Sequence, residues 1–554
     1  MTAAADSLTF KAHRGDSCVL LAFDIDESYE ERLAGFAVEY TTPDGKTHPV
    51  YNRLSFTDAV TADTTPAQRR WTPTEQAPLQ KFHWIHFPES VDPGTFTYRA
   101  TAMLFKDGTE DELEPGPSAE RSLQIMDEPF ASFRLGFTRG YISSQAYAER
   151  FDNAPIEPEP PTIDFDSAPF QDRYRWLGFH ARRLVFDFLV ETLSDPALSL
   201  DVFAYDLNEP DVTRALEQLG PRLRLYLDDS KSHVADGALE RDARKALVRS
   251  AGKQNVKTGH YHRFAHNKVF IQRRDGEPRK VLAGSANFSV RGLYVQSNNV
   301  FVFDDADTAG LYEQAFEQTW SDAATFGASD IAAHWFENSH NRMPSFQACF
   351  SPHADAAISL TPPADAIRGA RSSVLFSIME LGTGGGAVLD AVRALPERKD
   401  LYAFGTTQRL NGSLKVTASG RPDSPFIPFA YLADNVPAPF RREWSGGAGQ
   451  VIHHKFVVVD FNEADPVVFA GSSNLSSGGE EENGDNLVAF HDRIVATTYA
   501  VEAIRLIDHY RFRAVKRAAT PEEPLRLKRR SERWARDYYN PEQPKCRERL
   551  LFVR

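Results

Sequence analysis

Apolar positions in the first 128 residues recur in short runs, and turn residues separate the runs. Segments 17–25, 33–40, 82–87 and 95–105 read as strands. Pro43-Asp44-Gly45 and Lys106-Asp107-Gly108 read as hairpin turns between them. The pattern changes near Ser132-Phe133, where apolar strands begin to alternate with helical periodicity. Segment 133–138 reads as a strand, and 345–352 looks like its counterpart later in the chain. Segment 152–167, with Pro155, Pro158, Pro160 and Pro161, reads as a surface loop. A helix is expected over 172–193, a buried strand over 198–205, a helix over 209–219, a strand over 223–228 and a helix over 237–249. Strands follow at His266 and over 280–283.

The order then repeats. Helix 364–370 leads to strand 373–379, and helix 387–395 leads to strand 401–404. A polar stretch, 407–449, precedes a strand at His453, and strand 467–470 follows. A helix over 501–513 closes this half. Strands alternating with helices imply an α/β sheet in each half, with helices on its faces. Segment 520–554 is basic and broken by prolines, yet it carries Trp534, Tyr538, Tyr539, Leu550, Leu551 and Phe552. Those anchors imply a segment docked on the body with its basic face outward.

One short pattern occurs twice. His266-Asn267-Lys268 is followed by Gly284-Ser285-Ala286-Asn287, and His453-His454-Lys455 by Gly471-Ser472-Ser473-Asn474. In both copies the glycine lies 18 residues after the first histidine and the asparagine 21 after it. A polar residue stands 11 positions further on, Asn298 in the first copy and Asp485 in the second. Matching offsets in copies 187 residues apart imply a duplicated unit.

The residue types point to phosphate chemistry. On a strand, His266 and Lys268 share a face, as do His453 and Lys455. An ammonium beside an imidazole binds an anion and favours the neutral, nucleophilic ring. A GSxN turn offers backbone N–H groups, a hydroxyl and an amide to phosphate oxygens. Displacement at a phosphodiester needs one group to attack phosphorus and one to protonate the leaving oxygen, and two copies supply that pair. No carboxylate cluster has metal-ligand spacing, so neither a metal nor another cofactor is expected.

Composition narrows the picture. At 554 residues the chain should form several domains. Cys18, Cys349 and Cys546 are too far apart for a metal motif. No apolar run is long enough to cross a bilayer, and the first residues lack the basic stretch and apolar core of a signal peptide, so a cytoplasmic location is expected. The formal net charge is −14, unevenly spread: residues 511–554 hold 14 basic against 6 acidic residues, and the remainder 49 against 71. So acidic a body disfavours broad binding to nucleic acid. The basic C-terminal segment is a candidate peripheral contact with an anionic surface.

The duplicated motif resembles the HxK(x)4D plus GSxN signature of the phospholipase D superfamily. The second copy matches fully, with His453, Lys455, Asp460, Gly471, Ser472 and Asn474. The first departs at Arg273, where the aspartate would stand; tyrosyl-DNA phosphodiesterases lack that aspartate too. The resemblance covers 131–515. It implies a two-lobed, duplicated α/β fold, with lobes at 131–330 and 345–515; the strand pattern places an all-β domain before it at 1–128, and the aromatic anchors a docked segment after it at 516–554. Pro93-Gly94 and the alternating strand through Tyr98 resemble a late strand of a fibronectin-III or immunoglobulin-like sandwich.

By the same resemblance, one histidine forms a covalent phosphohistidine and the other protonates the leaving alcohol and then activates water. The family's usual order makes His266 the nucleophile and His453 the acid and base. Lys268, Asn287, Lys455 and Asn474, with Ser285 and Ser472, would hold the phosphate. Asp485 would bond the far nitrogen of a catalytic histidine and favour its imidazolium form, suiting a general acid. Asn298 would orient a ring without raising its basicity, and Asp460 is a supporting residue. Phospholipid head groups are the expected substrate, and a monomer suffices because both half-sites lie in one chain. The alternatives are a nuclease using the same mechanism and an inactive scaffold on this fold. His260 and His262 read as surface histidines, and His454 as facing away from the site. Asp206 and Glu380 end corresponding strands, and Glu480, Glu481 and Glu482 read as an exposed loop.

Overall fold

A strand buried on both faces needs apolar side chains at nearly every position. Val269 to Ile271, Val281 to Ala283 and Phe456 to Val459 have that character. The computed structural model describes residues 8–65, 68, 70–88, 93–125, 128–339, 342–381, 385–410, 426–428 and 452–554. In it these strands lie at the centres of two mixed sheets.

The chain starts with β1 (Thr9–Arg14), β2 (Val19–Asp24), β3 (Leu33–Thr41), β4 (Thr47–Pro49), β5 (Tyr51–Asn52), β6 (Thr72–Pro73), β7 (His83–His86), β8 (Gly94–Phe105) and β9 (Leu113–Ile125). These make sheets of order β1-β2-β7, β4-β3-β8-β9 and β5-β6. The first two share one core, in which Phe23 stacks on Phe36 at 4.5 Å and on Phe10 at 5.6 Å. The expected strands are all present, and β1, β4, β5, β6 and β9 are additional. β9 is polar and mostly exposed, carries Pro115 and Pro117 and sits at a sheet edge, where proline is tolerated. Its sequence therefore carries no alternating apolar signal.

The first α/β sheet contains β10 (Phe133–Phe137), β11 (Leu198–Ala204), β12 (Leu223–Asp228), β13 (Val256–Gly259), β14 (Val269–Arg274), β15 (Glu277–Gly284) and β16 (Asn299–Phe303). Its order is β10-β16-β15-β14-β11-β12-β13. The second contains β17 (Phe336–Asn338), β18 (Phe346–Ser351), β19 (Ser373–Leu381), β20 (Tyr402–Leu410), β21 (Phe426–Pro428), β22 (Lys455–Val459), β23 (Val467–Gly471) and β24 (Asp485–Phe490). Its order is β17-β18-β24-β23-β22-β19-β20-β21. After the extra edge strand β17, the two orders match strand for strand. Directions match too: β11-β12 and β12-β13 are parallel, as are β19-β20 and β20-β21, and the other pairs are antiparallel.

Alternation along each strand sorts side chains between cores. Val269, Ile271, Val281, Ala283, Phe301 and Phe303 enter a core shared with Phe456, Val458, Val468, Ala470, Val488 and Phe490 of the second sheet. Their neighbours Phe270, Leu282, Val300 and Val302 face an outer core under the helix Gln171–Ser194, and Val457, Val459, Phe469 and Leu487 face another under the helix Ala357–Arg368. The shared core thus joins the two halves. Phe490 is its hub, with ring centroids 5.4 Å from Phe133, 5.7 Å from Phe301 and 6.1 Å from Phe346.

Several expectations shift at their edges. The helix Ala357–Arg368 starts before 364 despite Pro362 and Pro363 within it, and the closing helix is longer than expected, Arg493–Ala518. Loop 152–167 has no regular structure until its end, yet Ile156 and Phe165 are buried anchors. Of segment 407–449, residues 411–425 and 429–449 lie outside the described residues.

The C-terminal segment packs on the β1–β9 region. Trp534 Nε1 donates to the Leu33 carbonyl at 2.7 Å, and the Tyr539 hydroxyl donates to the Ile25 carbonyl at 2.9 Å. Its basic groups are not all turned outward: Arg549 pairs with Asp24, Arg533 with Glu30 and Glu31, and Arg530 with Asp107. Among the described residues, no helix is long and apolar enough to cross a membrane.

Asp460 ends β22 with φ 54°. Its carboxylate accepts the backbone N–H groups of Arg371, Ser372 and Ser373 at 2.8 to 3.1 Å, and the Ser372 hydroxyl at 3.1 Å. It therefore anchors the start of β19. Arg273 in the first half pairs with Glu313 at 2.9 Å and approaches Asp201 at 3.6 Å. Both positions sit at the ends of their strands, in packing contacts. Asp460→Ala should lower unfolding stability by about 3 kcal/mol, because it strands buried donors. Urea denaturation checks this, and turnover per folded molecule should stay near wild type.

Candidate active site

The two motif copies meet where the halves touch. His266 and Lys268 lie just before β14, while His453 precedes β22 and Lys455 begins it. Parallel bridges Ser297–Ile452 and Phe264–Asn483 tie the halves there. Glycine is required before each motif serine by backbone crowding. Gly284 has φ 146°, and a Cβ on it would lie 2.4 Å from the Asn299 carbonyl oxygen. Gly471 has φ 151°, with the Asn486 carbonyl oxygen 2.3 Å from that position.

Each histidine takes its partner from the other half. His266 Nδ1 lies 2.7 Å from Asp485 Oδ1, and His453 Nδ1 lies 2.9 Å from Asn298 Oδ1. A reading confined to one copy would place Asp485 with His453; the fold crosses them. The carboxylate thus serves His266. Held through Nδ1–H, the His266 ring presents its Nε2 lone pair, and Asp485 stabilises positive charge on that ring as it forms. His453 meets only a neutral amide, which orients the ring without holding its proton.

Both rings are buried. Burial, with Lys268 and Lys455 beside it, holds His266 well below the usual histidine range. Burial, Lys455 and Lys268 do the same to His453. Lys455 Nζ lies 3.2 Å from His453 Nε2, and Lys268 Nζ donates to the His266 carbonyl. Burial brings Lys268 down to about 8 against the pull of Asp485, and pushes Asp485 up to about 7. The site is a tight, buried cluster of two histidines and two lysines, with Asp485 on one side.

Ser285 and Ser472, expected to bind phosphate, are fully buried. Ser285 Oγ donates to Asn298 Oδ1 at 2.8 Å and accepts Asn299 N–H at 3.0 Å. Ser472 Oγ accepts the Asn486 backbone N–H at 3.0 Å. Both hydroxyls therefore position the partner-bearing strands. Among the described residues, the buried side-chain oxygens of Asn287 and Asn474 have no hydrogen-bond partner. Asn287 Nδ2 donates to Asp206 Oδ2 at 2.6 Å.

A cluster behind Asn287 escaped the sequence reading, apart from the suspicion on Asp206. His233 bridges Asp206 at 3.0 Å and Asp228 at 2.7 Å. Burial opposes its charge, but the hydrogen bonds it donates to both carboxylates outweigh burial and hold it up at about 10. Tyr205 stands between this cluster and the motif, its ring 4.6 Å from His233, 4.8 Å from His266 and 4.9 Å from Lys268 Nζ. The residues involved are scattered over three elements, so no spacing could reveal them. Asp206, His233 and Glu240 have donor atoms close enough for a metal ion. Both His233 nitrogens already meet carboxylates, however, and a ring protonated that firmly is a poor ligand. Asp201, Glu313 and Glu317 also cluster, and Arg224 and Arg273 neutralise them.

The remaining candidates lie elsewhere. His260 is half exposed and pairs with Asp229 at 2.6 Å, and His262 is exposed. His454 is buried away from the site, 3.1 Å from Glu502. Glu480 corrects its expectation: it is buried in the short helix Ser477–Glu482, accepting the Ser359 hydroxyl at 2.7 Å, and only Glu481 and Glu482 are exposed. The side chain of Glu380 lies outside the described residues.

His453 has a thermodynamic signature. Its folded-state pKa lies below the unfolded value of 6.5, so the unfolded chain takes up a proton that the folded site refuses. That stability is present above pH 6.5 and is lost as pH falls. His266 and Asp485 share a proton, so their shifts largely offset. Between pH 6.5 and 5, His453→Asn should flatten the decline by up to about 1.4 kcal/mol per pH unit. Denaturant titrations across that range check it.

Over residues 189–320 the chain matches the family model described as cardiolipin synthase, PLD-like domain. No curated protein sequence matches it. Among solved structures it is similar to polyphosphate kinase from Porphyromonas gingivalis, at 11% identity and TM-score 0.39, over 59% of this chain and 49% of that one. It is similar to phosphatidylserine synthase from Haemophilus influenzae Rd KW20, at 13% identity and TM-score 0.38, over 58% of this chain and 84% of that one. It is also similar to Nuc from Salmonella typhimurium, a phospholipase D family member, at 17% identity and TM-score 0.22, over 34% of this chain and 94% of that one. The chain spans about half the length of the polyphosphate kinase.

Proposed function

We propose that this chain, which belongs to the phospholipase D superfamily, is a phosphodiesterase that works through a covalent phosphohistidine without a metal ion. The observation that carries this reading is the crossed pairing of two buried histidines, each beside a lysine, in one site. A phosphodiester monoanion set between Lys268 and Lys455 offsets the charge that keeps both rings neutral. This mechanism requires His453 to carry a proton and His266 Nε2 to be free of one when the substrate is bound.

His266 Nε2 attacks phosphorus. As the new N–P bond forms, the bond to the leaving oxygen breaks, and that oxygen takes the proton from His453 Nε2. His453, now neutral, accepts a proton from water; the water oxygen attacks phosphorus, and the N–P bond breaks. Asp485 steadies His266 while it carries positive charge. Lys268, Lys455, Asn287 and Asn474 hold the non-bridging oxygens, where charge builds. Ser285 and Ser472 act from behind, through Asn298, Asn299 and Asn486.

A phospholipid head group is the favoured substrate, since an acidic body of 71 acidic against 49 basic residues repels long nucleic acids. The test is product analysis by mass spectrometry, with EDTA present. Purified protein is incubated separately with a mixed phospholipid extract, single-stranded DNA and double-stranded DNA, beside His266→Asn controls. Phosphatidic acid formed only by the wild type is the expected result. Shortened DNA with intact lipid would instead make the chain a nuclease. Activity lost in EDTA and restored by a divalent ion would overturn the metal-free mechanism.

A further inference from the structure

A cavity of about 670 Å³ opens between the β1–β9 region, the helix Gln171–Ser194 and the helix Arg493–Ala518. That volume falls within the usual range for small-molecule sites, roughly 300–1,000 Å³. Its walls are aromatic: Trp71, Trp84, Phe87, Trp176 and Phe512 line it. Trp71 and Phe87 are 47% and 43% exposed, well above what isolated core aromatics retain.

The polar groups in these walls are already engaged, with one exception. Lys81 donates to Asp508 at 2.9 Å, Trp71 Nε1 donates to Glu149 at 3.0 Å, Arg53 donates to Gln145 at 2.6 Å, and Arg505 pairs with Glu502. Arg139 differs. Its guanidinium carbon lies 5.2 Å from the Trp176 ring and 3.9 Å from the Phe179 ring. Among the described residues, that guanidinium makes no hydrogen bond or ion pair. The Phe179 contact comes at a break in the helix, where Phe179 takes φ 43° and ψ −126°. Aromatic rings hold the flat faces of a guanidinium and leave its N–H edge free to donate. Burial and the neighbouring Arg505 bring Arg139 down to about 10, which leaves it charged at neutral pH.

We propose that this cavity is a second ligand site, separate from the motif histidines, for a small molecule with a flat apolar body and one anionic group. The body lies among the tryptophans, and the anion takes the free edge of Arg139. The site is built largely by the β1–β9 region and gives that region a binding role. It stands whatever the catalytic site cleaves.

The test uses 8-anilinonaphthalene-1-sulfonate as the anionic probe and N-phenyl-1-naphthylamine as its neutral counterpart, followed by fluorescence titration and calorimetry. The wild type should bind the sulfonate saturably, with one site per chain. Arg139→Met should weaken the sulfonate at least about tenfold while the neutral probe changes little. Trp176→Leu should weaken both. On the wild type, 2-naphthoate should displace the sulfonate and 2-naphthalenemethanol should not; this comparison decides the matter if a variant fails to fold. Absence of saturable binding, unchanged sulfonate affinity in Arg139→Met, or equal displacement by the alcohol would overturn the proposal.

Discussion

His266→Ala should lower turnover by about four orders of magnitude or more and leave no covalent intermediate, whereas His453→Ala should be as slow in steady state yet accumulate one. The contrast follows from the order of bond making. Without His266 no N–P bond forms, whatever the leaving group. Without His453 the first step loses only its proton donor. A p-nitrophenyl phosphodiester has a leaving group acidic enough to depart unprotonated, so His453→Ala should give a burst of nitrophenolate close to one per site. The phosphohistidine then persists, because no base activates water. Quenched-flow detection of the burst, with mass spectrometry of the chain, separates the two variants. A burst in His266→Ala and none in His453→Ala would exchange the two roles.

Phe490→Ala should cost about 3–5 kcal/mol of stability, the usual range for truncating a fully buried phenylalanine. Its ring touches Phe133 and Phe301 of the first sheet and Phe346 of the second. The void would open in the core common to both halves. Unfolding of the two sheets should therefore shift together to lower denaturant as one transition. Phe469, in the core under the helix Ala357–Arg368, provides the comparison. Chemical denaturation followed by hydrogen exchange on peptides from β15 and β23 would read both sheets. Loss of protection in β23 alone would show that the shared core does not couple them.

Much of this was legible in the chain because duplication writes itself twice. The fixed offsets from His266 to Asn287 and from His453 to Asn474 marked the site. Strands are expected at His266 and His453, and β14 and β22 begin just after those residues. Other features have no linear trace. β9 stays hidden because an exposed edge strand needs no apolar alternation. His233 reaches the site through Asp206 and Tyr205, from elements whose adjacency exists only after folding. Asp460 lies within the motif spacing, and only the structure places its carboxylate on the backbone of Arg371 to Ser373. The motif serines, read as phosphate ligands, turn out to hold strands.

The crossed partners have a consequence for descent. A homodimer of first halves would give both histidines an asparagine, and a homodimer of second halves would give both an aspartate. Neither symmetric ancestor would distinguish attacker from proton donor. The joined chain gives its two histidines unlike partners, Asp485 and Asn298. Under the proposed mechanism the halves are mutually obligate, because the partner of each histidine stands in the other half.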